Sequence, residues 1–302
     1  MQKTRVFVIA ACCAVMSCTV DKADYEAETG HSDTDHYEFK EVTALQSENH
    51  TISIEALNGL LYKGYNEIRL KIDGGGNTTN ISEVSFLPIM TTAEEEVSCP
   101  HRYLLEYNDE GYFSGYAVFT HESSQGNWEL YIGFSADGEA YQASAPVTVE
   151  EQPNKNLNMT SFTGNDGYQY VIALVAPRKP EVAENNLVAG IYKYDQPAGT
   201  VGTLPDPSQF SYSEASNYTL QIDPRMPEPS MGNHSSPNNV DLVQEDDKLY
   251  HGVVNYTMTG NWTLNFIMVD GNGRIIKGTE VSTDFTPGVE GAKSELFIDI
   301  LF

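Results

Sequence analysis

The feature that most constrains this chain is a short frame that occurs twice. Gly126-Asn127-Trp128-Glu129-Leu130 and Gly260-Asn261-Trp262-Thr263-Leu264 share the pattern Gly-Asn-Trp-x-Leu, and the chain has only these 2 tryptophans. The surroundings repeat in order. Upstream, Phe113-Ser114-Gly115-Tyr116-Ala117 parallels Tyr250-His251-Gly252-Val253-Val254, and further back a Met lies two residues after a Pro, Met90 after Pro88 and Met226 after Pro224. Downstream, an Asp-Gly turn begins at Asp137 and again at Asp270. Matches that recur in the same order are the signature of a duplicated unit. Two copies are therefore expected, at 38–150 and 158–302, with the polar, Pro-broken stretch Glu150 to Asn156 joining them.

Inside each copy apolar residues recur with period two. Ile68-Arg69-Leu70-Lys71-Ile72 alternates cleanly. Trp128, Leu130, Ile132, Phe134 and Trp262, Leu264, Phe266, Met268 each fall on one face of an extended strand. Turn formers punctuate these runs at Asp73-Gly74, Asn108-Asp109-Glu110-Gly111, Asp137-Gly138 and Asp270-Gly271-Asn272-Gly273. Helical periodicity is missing. The expected fold class is all-β, as two tandem Ig-like β-sandwich domains. Each Trp then reads as a core residue whose indole N–H needs a partner. The stretch Asp195 to Ser216, rich in Pro, Gly and Ser, predicts a long loop in the second copy.

The first seventeen residues read as a signal peptide. Lys3 and Arg5 precede the apolar run Val6 to Val15, which is shorter than the roughly 20 residues a spanning helix needs. The run ends Val15-Met16-Ser17-Cys18, in the register of a lipobox, so Cys18 is the expected lipidation site. Residues 18–37 form a polar, acidic stretch without periodicity, a flexible tether. The expected location is the cell envelope, with the lipid anchor in the outer membrane, on its periplasmic or outer surface. Of the four cysteines, Cys12 and Cys13 leave with the signal and Cys18 is acylated, so Cys99 stays as a lone thiol and no internal disulfide can form.

A net charge of −26 argues against a nucleic-acid partner, because binding one relies on Lys and Arg neutralising phosphates.

In the second copy the order Met226-Pro227, Met231-Gly232-Asn233-His234, then Tyr250-His251-Gly252 and Gly260-Asn261-Trp262 resembles the YtkA-like domains, relatives of the FixH family. The resemblance covers roughly residues 217–270 and is weaker in the first copy. It implies an Ig-like sandwich of an exported bacterial protein, of a kind that often accompanies copper and heavy-metal handling or oxidase assembly. The residue types agree with that chemistry, since thioether, thiol and imidazole suit copper. Met226, Met231 and His234, on one short Pro- and Gly-rich loop, are the candidate metal ligands of the second copy, and Met90, Cys99 and His101, in the comparable loop region, those of the first. Met also fills gaps in cores, and Cys99 reads equally as a small buried hydrophobe.

No HExxH, GxSxG, GxxxxGK[ST] or CxxC motif is present. The expected role is non-catalytic binding, with copper as the candidate cofactor and a metal ion or an envelope protein as partner. The alternative is a structural or adhesive protein that engages a protein or glycan through its sandwich loops.

Overall fold

The computed structural model describes residues 37–74, 80–197 and 205–302. The expected signal, Cys18 and the tether as far as residue 36 lie outside the described residues. In the first half the strands are Phe39–Ser47 (β1), His50–Leu57 (β2), Leu61–Tyr62 (β3), Gly64–Gly74 (β4), Ile81–Thr91 (β5), Glu96–Ser98 (β6), Glu106–Tyr107 (β7), Phe113–Phe119 (β8), Asn127–Ala136 (β9), Glu139–Val147 (β10) and Val149–Glu150 (β11). In the second half they are Met159–Thr163 (β12), Gln169–Ala176 (β13), Glu184–Tyr194 (β14), Tyr212–Glu214 (β15), Tyr218–Met226 (β16), His234–Ser235 (β17), Val240–Gln244 (β18), Tyr250–Asn255 (β19), Asn261–Asp270 (β20), Ile275–Lys277 (β21) and Phe297–Leu301 (β22).

The fold is all-β. β1 to β11 pair only among themselves, and so do β12 to β22. In the first half a sheet ordered β1-β2-β4-β8-β7 faces one ordered β10-β9-β5-β6. Ile52, Ile68 and Leu70 from the first sheet meet Phe86, Trp128 and Ile132 from the other in one buried core. The period-two pattern fills it: β9 buries Trp128, Leu130, Ile132 and Phe134 and turns the residues between them outward. In the second half β12-β13-β14-β19-β18 runs on through β18 into β16-β20-β21, and Tyr170, Leu187, Trp262, Phe266 and Ile298 share a second core. The order β2-β4-β8 against β5-β9-β10, and β13-β14-β19 against β16-β20-β22, is that of an immunoglobulin sandwich, whose first, second and fifth strands face its third, sixth and seventh.

Register relates the halves residue by residue. Pro88 lies opposite Leu130 and Pro224 opposite Leu264. Ile68 lies opposite Gly115 and Leu187 opposite Gly252. Each indole N–H donates over 3.0 Å to a main-chain carbonyl, of His121 for Trp128 and of Met258 for Trp262. One correspondence escapes the sequence. The Asn66 side chain accepts from the N–H of Tyr62 and donates to the carbonyls of Tyr62 and Gly64; Asn185 does the same with Glu181 and with the carbonyls of Glu181 and Ala183. Both asparagines pin the turn that leads into the second strand of their sandwich.

The repeated glycines have a steric reason. In each half a segment crosses from one sheet to the other, and it carries Leu105 in the first half and Leu242 in the second, each packed over a glycine. A Cβ on Gly115 would strike Leu105 Cδ2, and one on Gly252 would sit 2.5 Å from the Val240 carbonyl oxygen and 2.9 Å from Leu242 Cγ. Leu105 N–H donates to the Val84 carbonyl, and Leu242 pairs with Leu220.

Pro88 and Pro224 stand inside strands, where a missing N–H ordinarily breaks the ladder. Both face the edge where the neighbouring strand changes, from the crossing segment to β6 or β17. There Pro88 accepts from the Ser98 hydroxyl and Pro224 from the Ser236 N–H. Asp137 and Gly138 both adopt positive φ, 51° and 88°, and close the β9–β10 hairpin in the geometry that two-residue loops favour.

The expected loop from Asp195 to Ser216 is only partly a loop. Pro207–Gln209 forms a 3-10 turn, and β15 pairs with β14. The segment is recruited to structure because Phe210 packs on Leu87 and Ile89 of the first half. The halves meet again through Tyr116 and Val118 against Val171, Ala173 and Tyr192. Arg102 is 3.1 Å from Glu214 across this contact and 3.0 Å from Glu106 on its own side. The long irregular segment of the second half lies elsewhere, at 278–296 between β21 and β22.

Candidate functional site

The six proposed metal ligands fall in three different settings. Met90 is a β5 residue opposite Trp128, wholly inside the first core. Cys99 is fully buried in the same core, and burial pushes its thiol well above the usual range, so the thiolate a metal needs is disfavoured. His101 is buried behind it. Its Nδ1 donates to the Cys99 carbonyl at 2.7 Å, and desolvation lowers its pKa to about 4. Its ring lies edge-on to Phe86. These three residues are parts of a packed interior and not of an open loop.

The second set differs. Met226, a loop residue by its sequence context, is instead the last residue of β16, buried in the second core, because the strand runs on past Pro224. Met231 lies in a turn, its N–H on the Glu228 carbonyl, and its side chain is half-buried against that core. His234 opens β17 as the cross-strand partner of Met226. Its Nε2 is 2.9 Å from the Thr257 hydroxyl and its ring stands edge-on to Trp262. The register thus brings Met226 and His234 to one place. Among the described residues no group of three His, Cys, Asp or Glu is placed to hold a metal ion. The Asp270-Gly271-Asn272-Gly273 turn is self-contained. The Asp270 carboxylate accepts the N–H groups of Asn272 and Arg274, and the Arg274 N–H above all holds it below the usual carboxylate range.

Two further features carry no signal in the sequence. The first lies on the crossing segments, where large apolar side chains stay exposed: Tyr103, Leu104 and Tyr107 around buried Leu105, and Val240 and Val243 around buried Leu242. No periodicity marks these positions, because the segments change sheets midway. The second is Arg225, one residue before Met226 and on the opposite face of β16. It is almost wholly buried, its Nε donating to Asp223 Oδ2 at 2.9 Å. Outward positions of a strand are ordinarily solvated, so nothing in the sequence marks it.

No helix among the described residues is long and apolar enough to cross a membrane. No family model matches the chain, and no curated protein matches it. A solved structure, a conserved domain protein from Bacillus anthracis, is similar over 89% of this chain and 93% of its own, at 11% identity and a TM-score of 0.30.

Proposed function

We propose that this chain is an exported lipoprotein, acylated at Cys18, whose role is non-catalytic binding of an envelope partner through its sandwich surfaces. The observation that carries the reading is the apolar exposure at equivalent places in both halves, Leu104 and Tyr107 in one and Val240 and Val243 in the other. Exposed apolar side chains gathered on both crossing segments of a strongly acidic protein favour a protein-contact role over solubility alone. Leu104 is 59% and Tyr107 65% exposed, so neither serves a core. The test is a photo-crosslinking residue at Leu104 or Val240 in cells, beside a control at Glu139. Discrete adducts at the first two sites and none at the third are expected; equal labelling at all three refutes the reading. The anchor is tested apart, since Cys18→Ser should abolish fatty-acid labelling and release the protein to the soluble envelope fraction.

The copper reading is favoured by one observation, the Met226–His234 cross-strand pair. It concerns the second half, where the likeness to YtkA-like domains is concentrated. Competition against a Cu(I) chelator decides it, with wild type beside a Met226→Leu, Met231→Leu, His234→Ala variant. Equal uptake by the two proteins refutes it.

A further inference from the structure

The face of the second sandwich that carries Arg225 is built unlike its counterpart in the first. There the strands β9 and β10 turn directly into one another through Asp137 and Gly138. Here the chain between β21 and β22 takes the irregular course 278–296 across the outside of β16 and β20. It is fastened down: Asn233 Nδ2 donates to the Ser282 carbonyl, Ser294 N–H to Asn265 Oδ1, and Gly291 N–H to the Pro227 carbonyl. An ordered coil of this length without secondary structure is uncommon and is usually functional. Between coil and sheet it leaves a groove of about 300 Å³, lined among others by Gln221, Asp223, Arg225, Thr279, Glu280 and Thr283. That volume is at the lower end of small-molecule sites, roughly 300–1,000 Å³.

Among the described residues that line this groove, Arg225 is the one cationic side chain. Its side chain is 8% exposed, and Asp223 takes only its Nε. Among the described residues the two Nη nitrogens make no hydrogen bond or ion pair. Neither Nη is a sealed, unsatisfied atom, so both remain open from the groove to solvent and to a ligand. Its planar fork matches a carboxylate in a bidentate pair. The other lining groups select among anions. Asp223 and Glu280 are acidic and disfavour a phosphate that carries nearly two charges. Gln221, Thr279 and Thr283 offer amide and hydroxyl partners to a hydroxylated ligand.

We propose that the groove beneath segment 278–296 binds a monoanionic carboxylate on a hydroxylated ligand, an acidic sugar of the uronic-acid type, with Arg225 clasping the carboxylate. The proposal deepens the binding reading above. Its test is independent, because crosslinking at Leu104 and Val240 can fail while this groove binds.

The probe is glucuronate, titrated into the full chain by calorimetry or NMR, with glucose and inorganic phosphate alongside. Glucuronate binding is expected, with glucose and phosphate each at least about tenfold weaker, since a hydrogen bond to a charged group is worth about that factor or more. Arg225→Gln, shown folded by its melting curve, should weaken glucuronate about tenfold or more. Glu280→Gln leaves the fork intact and should tighten glucuronate by removing a like charge. No glucuronate binding by wild type, or equal binding of glucose or phosphate, overturns the proposal. So does a folded Arg225→Gln with wild-type affinity. Should Arg225→Gln not fold, Glu280→Gln decides, and an unchanged affinity there overturns the proposal too.

Discussion

Gly115 and Gly252 occupy the same register position, yet alanine should be tolerated at one and not at the other. In a strand, alanine is ordinarily better than glycine by roughly 0.5–1 kcal/mol, because the unfolded chain loses freedom. At Gly115 the added Cβ meets Leu105 Cδ2, the far end of a side chain. Turning that side chain off its preferred rotamer costs about 0.5–1.5 kcal/mol, so the net change should lie within about 1 kcal/mol of zero. At Gly252 the first obstacle is main chain, the Val240 carbonyl oxygen 2.5 Å away, with Leu242 Cγ at 2.9 Å behind it. β18 must then move as a whole, and overpacking of that kind costs typically 1–3 kcal/mol. The assay is urea unfolding of Gly115→Ala and Gly252→Ala followed by fluorescence. Each half holds one tryptophan, so Trp262→Phe and Trp128→Phe backgrounds let the first and second halves report separately. A Gly252→Ala protein as stable as its background, or equal losses at the two sites, would refute the claim that a main-chain oxygen sets the cost.

Two more outcomes are expected. Trp128→Ala and Trp262→Ala should each cost about 3–5 kcal/mol, since each removes a fully buried ring and strands a carbonyl; a loss under 1 kcal/mol in chemical denaturation would contradict their core placement. For His101, burial lowers the folded pKa to about 4 against an ordinary 6.5, so between those values the unfolded chain binds more protons. The neutral side chain's contribution is complete above pH 6.5 and is lost as pH falls towards 4, by about 3 kcal/mol at 1.36 kcal/mol per unit. His101→Asn keeps a donor for the Cys99 carbonyl and should flatten that acid dependence, read as urea midpoints at pH 7 and pH 4.5.

What was legible in the sequence was whatever repeats at short range. The alternation from Trp128 to Phe134 and from Trp262 to Met268 gave the core faces directly, because one buried side of a strand forces period two. Asp137-Gly138 announced its hairpin because both residues tolerate positive φ. The candidate ligands were harder to place. Pro224 and Pro227 bracket Met226 and make it read as loop, whereas Pro224 fits a strand at the edge where its neighbour changes. That change of partner depends on residues far apart in sequence, and so does the burial of Arg225 under a coil some 60 residues downstream. No local pattern carries such information.

The place where the first sandwich begins and ends has a mechanical consequence. Tyr37, at its entry, and Gln152 and Pro153, at its exit, border the same small cavity, with Arg178 of the second half 5.4 Å from the Tyr37 ring. At the exit β11 runs beside β3, at the entry Glu38 exchanges hydrogen bonds with Asn58 just ahead of β3, and the Asn154 side chain donates to the Arg178 carbonyl. A pull applied at residue 37 and resisted by the second half would therefore travel a short path through that junction. The first sandwich would hang from the line of force like a bead on a closed loop, spared the load until the junction itself yields.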